Sequence, residues 1–171
     1  ANSHQIDITQ YFPDNNSVEH DPKEIIDSVT SCTKNVVKDI NNNEIVSIGI
    51  TNQRETTLAW SKSTGKPFYN AIVWQDTRTQ NICDELNADK DLSDLFMKTG
   101  LPVSTYFSLS KILWLIRNVP DIKKSLEEDV CFGTIDSWLI YNLTGNFYTD
   151  VTNASRTCLL YTSDAADDVI S

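Results

Sequence analysis

Hydrophobic and polar positions alternate along the chain with two distinct periods, and these define most of the expected elements. From Asp21 to Ile40, apolar residues fall at Ile25, Ile26, Val29, Cys32, Val36, Val37 and Ile40, the stripe of an amphipathic helix. Asp21 is placed as its N-cap, Pro22 suits the first helical position, and Glu24 is spaced to complete a capping box. The run Ile45-Val46-Ser47-Ile48-Gly49-Ile50 is short, apolar and β-branched and predicts a buried strand. Thr56 to Trp60 predicts a second strand, Ser61 to Pro67 a turn and Tyr69 to Trp74 a third strand, forming a hairpin. Helical spacing returns over Thr77 to Ala88, and a loop with Gly100 and Pro102 follows. Ser108 to Val119 reads as a helix, with Ser108 as candidate cap and Pro120 as its stop. Beyond it come a short helical piece at Lys123 to Glu128, a strand at Val130 to Thr134 and a helix from Ile135 to Leu143 closed by Gly145. Phe147 to Thr152 alternates like a strand. The order implies a mixed α/β domain.

Composition narrows the class. The chain has 171 residues, 40% of them apolar, enough for one domain or the larger part of one. No stretch nears the ~18 consecutive apolar residues of a membrane span. The formal net charge is −10, with acids concentrated at both ends and bases scattered through a near-neutral middle. That is a poor footprint for nucleic acid or an anionic membrane, so neither partner is expected. Cys32, Cys83, Cys131 and Cys158 lie far apart with no CxxC pair, and His4 and His20 add too little for a metal site. Free thiols in a reducing, cytoplasmic setting are expected.

The chemistry concentrates in Thr51-Asn52-Gln53-Arg54-Glu55-Thr56-Thr57, which follows directly on an expected strand. Ligand sites in α/β folds favour the carboxyl ends of strands. Arg54 donates to hydroxyl lone pairs and Glu55 accepts hydroxyl protons, a pairing suited to a neutral polyol. A solvated turn with one local ion pair explains the same residues equally simply. Trp74 and Tyr106 offer an apolar face with a polar tip, whereas Trp60, Trp114 and Trp138 read as core. Asp76, Asp136 and Asp150 read as helix caps or solvated carboxylates. The five glycines stand singly, and neither GxGxxG nor a P-loop is present.

Motif by motif, the chain resembles the FGGY carbohydrate-kinase family, and its glycerol-phosphorylating branch in particular. The resemblance is carried by Val18-Glu19-His20-Asp21-Pro22, Ile48-Gly49-Ile50 running into Thr51 to Thr57, Thr64-Gly65-Lys66-Pro67, Tyr69-Asn70-Ala71-Ile72-Val73-Trp74-Gln75-Asp76 and Arg78-Thr79. Tyr106-Phe107-Ser108 with Lys111 and Trp114, then Phe132 to Leu139, and Thr149 to Thr157 extend it. It implies an actin-like, ribonuclease-H-type ATPase fold with a cleft between two domains. It also implies transfer of the γ-phosphoryl of ATP to glycerol, assisted by Mg²⁺, to give glycerol 3-phosphate. Arg54, Glu55 and Tyr106 match the family's glycerol-binding positions and Trp74 its apolar wall. A pentulose-type kinase of the same family and a non-catalytic polyol-binding domain are the alternatives.

The departures define what is expected of this piece. The family's Asp-Gly-Thr-Thr-type phosphate loop would precede this stretch, and its catalytic Asp and adenine-binding domain would follow it. Ser17 stands where the family usually has Trp. Residues 1–157 are therefore expected to be a partial amino-terminal kinase domain, inactive alone and without catalytic, nucleotide or metal residues of its own. Residues 158–171 are expected to be a non-native tail, because Cys158 to Asp167 resembles a translated sequencing adapter. The family resemblance leaves room for homo-oligomers of the parent.

Overall fold

A computed structural model of the chain describes residues 2–92 and 94–160. Four strands form one antiparallel sheet: β1 (Glu19–His20), β2 (Thr57–Ser61), β3 (Ala71–Ile72) and β4 (Val130–Thr134), in the order β1-β3-β2-β4. The longest pairing runs from Thr57 opposite Thr134 to Ser61 opposite Val130. Helix α1 (Pro22–Val37) follows β1; α2 (Gln80–Ala88), α3 (Leu95–Thr99), α4 (Ser108–Asn118) and α5 (Pro120–Ser125) lie between β3 and β4; α6 (Ile135–Thr144) and the single turn α7 (Val151–Ala154) complete the order.

The sheet is covered on both faces, and every residue of β2, the polar Thr57 and Ser61 included, is buried. Successive side chains of a strand point to opposite faces. Leu58 and Trp60 pack with Ile25, Ala71, Cys131, Ile135, Trp138 and Leu139 beneath α1 and α6. Ala59 and Ile72 pack with Leu115, Val119 and Ile122 beneath α4 and α5. Trp138 donates its indole N–H to Pro22 O at 3.1 Å, tying α6 to the start of α1. Trp60 and Trp138 are core, as their contexts suggest. Gly133 is required by this packing: a Cβ there would lie 2.8 Å from Trp60 Cη2 and 2.9 Å from Ser137 Cβ. Gly145 ends α6 at φ +75° in the left-handed region, donating to Tyr141 O.

Several expectations change. Asp21 caps α1 by accepting from Lys23 N, but Glu24 makes no capping box; its Oε1 takes Thr9 N and Thr9 Oγ1 instead. The expected buried strand at 45–50 is not a strand: Val46 is 96% and Ile48 74% exposed. No strand among the described residues pairs with it, and an apolar run acquires strand structure only when its backbone groups find a ladder. Phe147 to Thr152 forms no strand either. Asp150 accepts from Thr152 N and Asn153 N, and this local capping turns the backbone into α7. Tyr69–Trp74 contracts to Ala71–Ile72, and Ser108 is not a cap, since Phe107 holds that place and Ser108 Oγ is buried without a partner.

Asp76 and Asp136, expected to be helix caps or solvated carboxylates, are interior. Asp76 and Glu19 are buried around Arg78, whose Nη2 lies 2.7 Å from Glu19 Oε1 and 2.8 Å from Asp76 Oδ2. The guanidinium also lies 4.7 Å from the ring of Trp114, which gives that tryptophan a packing role. Asp136, in the first turn of α6, is buried and accepts from Thr134 Oγ1 and Thr149 Oγ1. The four cysteines are free. Of the expected tail, Cys158 is buried, its Sγ 3.8 Å from Leu101 O, while 161–171 lie outside the described residues.

Candidate functional site

The polar stretch 51–57 forms an elbow leading into β2. Thr56 N donates to Gln53 O and Thr56 Oγ1 to Gln53 Oε1 at 2.8 Å, closing a turn around Arg54 and Glu55. Trp74 N donates to Thr56 Oγ1 at 3.3 Å, which brings the end of the β3 segment against the elbow. Asn52 Nδ2 donates to Asn153 Oδ1 at 3.1 Å, bringing α7 to its other side. Three separate segments therefore converge here through short polar contacts.

Within the elbow the two adjacent charges part company. Glu55 is only 5% exposed, and its Oε1 accepts from Arg156 Nε at 2.7 Å. Arg54 is exposed and makes no hydrogen bond or ion pair among the described residues. The local Arg54–Glu55 pair allowed by the sequence is thus absent, and a residue 101 positions away takes its place.

The aromatic wall stands alongside. Trp74 and Tyr106 are each 36% exposed and meet edge to face, with centroids 5.7 Å apart. Tyr106 also packs edge-on to Phe107 at 5.2 Å. The guanidinium carbon of Arg156 lies 5.8 Å from the Tyr106 centroid and 4.9 Å from that of Phe107. Arg156 joins Glu55 to Tyr106, and Trp74 joins the cluster through Tyr106, while Arg54 is adjacent in the chain with its side chain untethered.

Behind Tyr106 sits a buried lysine. Lys111 Nζ, on α4, donates to Thr105 O, Tyr106 O and Phe107 O at 2.5, 2.8 and 3.3 Å. Burial pushes its ammonium down to about 8, against the pull of Asp76, Cys83 and Glu55. This lysine clamps the loop that presents the phenol. Arg156 and Lys111 were missed as participants by sequence reasoning; only their places inside motif-like segments pointed to them.

The cluster forms one wall. A groove of about 800 Å³ lies elsewhere, lined by Cys32, Ile48, Ile50 and Leu143 among others. No group of three or more His, Cys, Asp or Glu side chains able to hold a metal occurs among the described residues. The wall offers a carboxylate to accept, a phenol to donate and an indole for carbon–hydrogen surface, with the exposed Arg54 next to Glu55 in the chain; such groups suit a small neutral molecule with several hydroxyls.

A family model described as the N-terminal domain of the FGGY family of carbohydrate kinases matches residues 1–166. The chain belongs to that family. This FGGY chain is 49% identical over 167 residues to a probable glycerol kinase of Caenorhabditis elegans, covering 92% of the chain and 33% of that relative. It is 47% identical over 176 residues to a glycerol kinase of Roseiflexus, covering 97% and 35%. The crystal structure of Plasmodium falciparum glycerol kinase with ADP matches at 44% identity and a TM-score of 0.85, over 92% of this chain and 32% of that one. A xylulose kinase of Rhodospirillum rubrum matches with a TM-score of 0.80 at 18% identity, a likeness of fold alone. The FGGY chain therefore has the actin-like α/β fold of these kinases, and it spans about a third of the length of the curated relatives it matches.

Proposed function

We propose that this chain is the polyol-holding part of a longer ATP-dependent glycerol kinase, which transfers the γ-phosphoryl of ATP to glycerol and forms glycerol 3-phosphate. The observation that carries the reading is the convergence of Glu55, Arg156, Tyr106 and Trp74 on one face beside the exposed Arg54. Identity near half to glycerol kinases, against about a fifth to xylulose kinases of the same fold, favours glycerol over a pentulose.

The roles follow from side-chain chemistry. Glu55 accepts a hydrogen bond from one glycerol hydroxyl, and Arg54 and Tyr106 donate to or share the others. Trp74 covers the carbon chain. Fixing a hydroxyl in one orientation is itself a large part of phosphoryl-transfer catalysis, since the reaction depends on alignment and charge placement. The described residues do not fit ATP or Mg²⁺: the glycines stand singly and the carboxylates form no metal cluster. Nucleotide, metal and the group that takes the hydroxyl proton belong to other parts of the longer protein.

Residues 1–157 are taken as the domain piece and 158–171 as foreign to it. The family match itself runs on to residue 166. The boundary rests on the loss of recognisable motif after Thr157. No helix of the described residues is long and apolar enough to cross a membrane; a cytoplasmic enzyme, with glycerol rather than nucleic acid as its partner and free to form homo-oligomers, completes the proposal.

The test is an ADP-release assay on the full-length protein containing this chain, with glycerol or xylulose and Mg-ATP. Glycerol-dependent turnover lost on Arg54→Ala is expected, and the 171-residue chain alone should show none. Preference for xylulose, or unchanged glycerol kinetics in Arg54→Ala, would overturn the assignment.

A further inference from the structure

Among the described residues, Glu55 uses only one of its carboxylate oxygens. Oε1 is bound to Arg156 Nε, while Oε2 has no partner among the described residues and is not among the side-chain atoms sealed from solvent. The carboxylate is thus held by one oxygen and open at the other. Its holder is itself fixed on both sides. The Asn52–Asn153 hydrogen bond ties the α7 turn to the elbow, and Asp150 caps that turn through Thr152 N, Asn153 N and Asn153 Nδ2. Leu109 N donates to Thr157 O at 3.0 Å, pinning the residue after Arg156 to the start of α4. The guanidinium then spans from Glu55 to the faces of Phe107 and Tyr106.

We propose that Arg156 is the positioning residue of the polyol site: it fixes the open oxygen of Glu55 relative to the Tyr106 phenol and so sets the register in which a hydroxylated substrate is gripped. The proposal rests on the glycerol reading given above. Arginine alone meets the demand, because its planar fork donates along one edge while its face packs on an aromatic ring; a lysine ammonium supplies the charge without the plane. Without Arg156, Glu55 is free to change rotamer, and its oxygen no longer stands at a defined distance from the phenol. A substrate hydrogen bond to a carboxylate that is no longer held in place is worth roughly tenfold to a hundredfold in affinity.

Arg156→Gln, Arg156→Lys, Glu55→Gln and the double variant Arg156→Gln/Glu55→Gln would be compared in the full-length protein, with glycerol and Mg-ATP varied separately. Arg156→Gln should raise KM for glycerol about tenfold to a hundredfold with KM for ATP unchanged, and Arg156→Lys should recover part of the loss. In the Glu55→Gln background the Arg156 substitution should add less than about a threefold effect, because its action passes through the carboxylate. Equal effects in both backgrounds, or a glycerol KM unmoved by Arg156→Gln, would overturn the assignment. If Arg156→Gln does not accumulate folded, Arg156→Lys decides: a raised glycerol KM supports the proposal and an unchanged one ends it. If Glu55→Gln itself leaves glycerol kinetics intact, the polyol reading falls and this inference with it. If Glu55→Gln impairs but Arg156→Gln does not, only the role of Arg156 is lost.

Discussion

Removing the Arg78 guanidinium should be among the most destabilising single changes available in the chain. Its Nε donates to both Asp76 oxygens at 3.0 and 2.9 Å, and its Nη2 lies within 2.8 Å of both Asp76 and Glu19. The side chains of Arg78, Glu19 and Asp76 are 8%, 3% and 0% exposed, so water cannot replace what is lost. In Arg78→Met, each carboxylate keeps two neutral donors: Glu19 keeps Tyr69 Oη and Asn70 Nδ2, and Asp76 keeps Val18 N and the residue-78 amide. Two buried negative charges then face each other with no cation in contact. Breaking a buried pair by removing one partner costs about 3–5 kcal/mol. For a domain of this size that is a fall of roughly 6–20 °C in Tm, at about 2–4 °C per kcal/mol. Urea denaturation of wild type and Arg78→Met at pH 7 measures this. The triple variant Glu19→Gln/Asp76→Asn/Arg78→Met should regain much of the loss. A single-variant cost under about 1 kcal/mol would refute the view that this network is an interior charge balance.

Two further outcomes test the packing. Gly133→Ala places a methyl 2.8 Å from Trp60 Cη2 and 2.9 Å from Ser137 Cβ, in a region where neither the indole nor the α6 backbone has room to yield; a cost of about 1–3 kcal/mol in chemical denaturation is expected, and a neutral result would mean that Trp60 repacks freely. Lys111, whose ammonium burial holds at about 8 in the fold, binds fewer protons than its unfolded counterpart between pH 8 and 10.5, so this group adds stability as pH rises through that window. Wild type should therefore gain about 3 kcal/mol over Lys111→Met between pH 8 and 10.5, since each pH unit in that window contributes about 1.36 kcal/mol; a difference that stays flat would show that the three carbonyls keep the ammonium charged.

The elements legible in the sequence are those whose pattern and partners are local. β4 ends where its residues predict, α4 and α6 follow their apolar spacing, and Gly145 closes α6 in the left-handed conformation its position implies. The failures share one cause, that the deciding partner is distant in the chain. Ile45 to Ile50 has every local property of a buried strand, yet strand formation is a property of pairs, and no described strand lies beside it. Asp76 reads as a surface carboxylate because nothing nearby in sequence other than Arg78 hints that Glu19, Val18 and Trp114 close over it.

The candidate site was half visible for the same reason. Residue type and position at a strand mouth singled out Arg54 and Glu55, and aromatic amphipathicity singled out Trp74 and Tyr106. Those properties select groups able to touch a polyol, but they cannot select the group that holds them still, because holding is a matter of third-party geometry. Adjacent Arg and Glu suggested a self-contained pair; the fold instead couples Glu55 to Arg156 across 101 positions and leaves Arg54 unengaged. That division makes physical sense for a grip on a neutral molecule. Were Arg54 and Glu55 paired, each hydroxyl contact would have to displace an existing ion pair. With Glu55 held by Arg156 and Arg54 unengaged, neither side chain has to leave the other before it can meet a ligand.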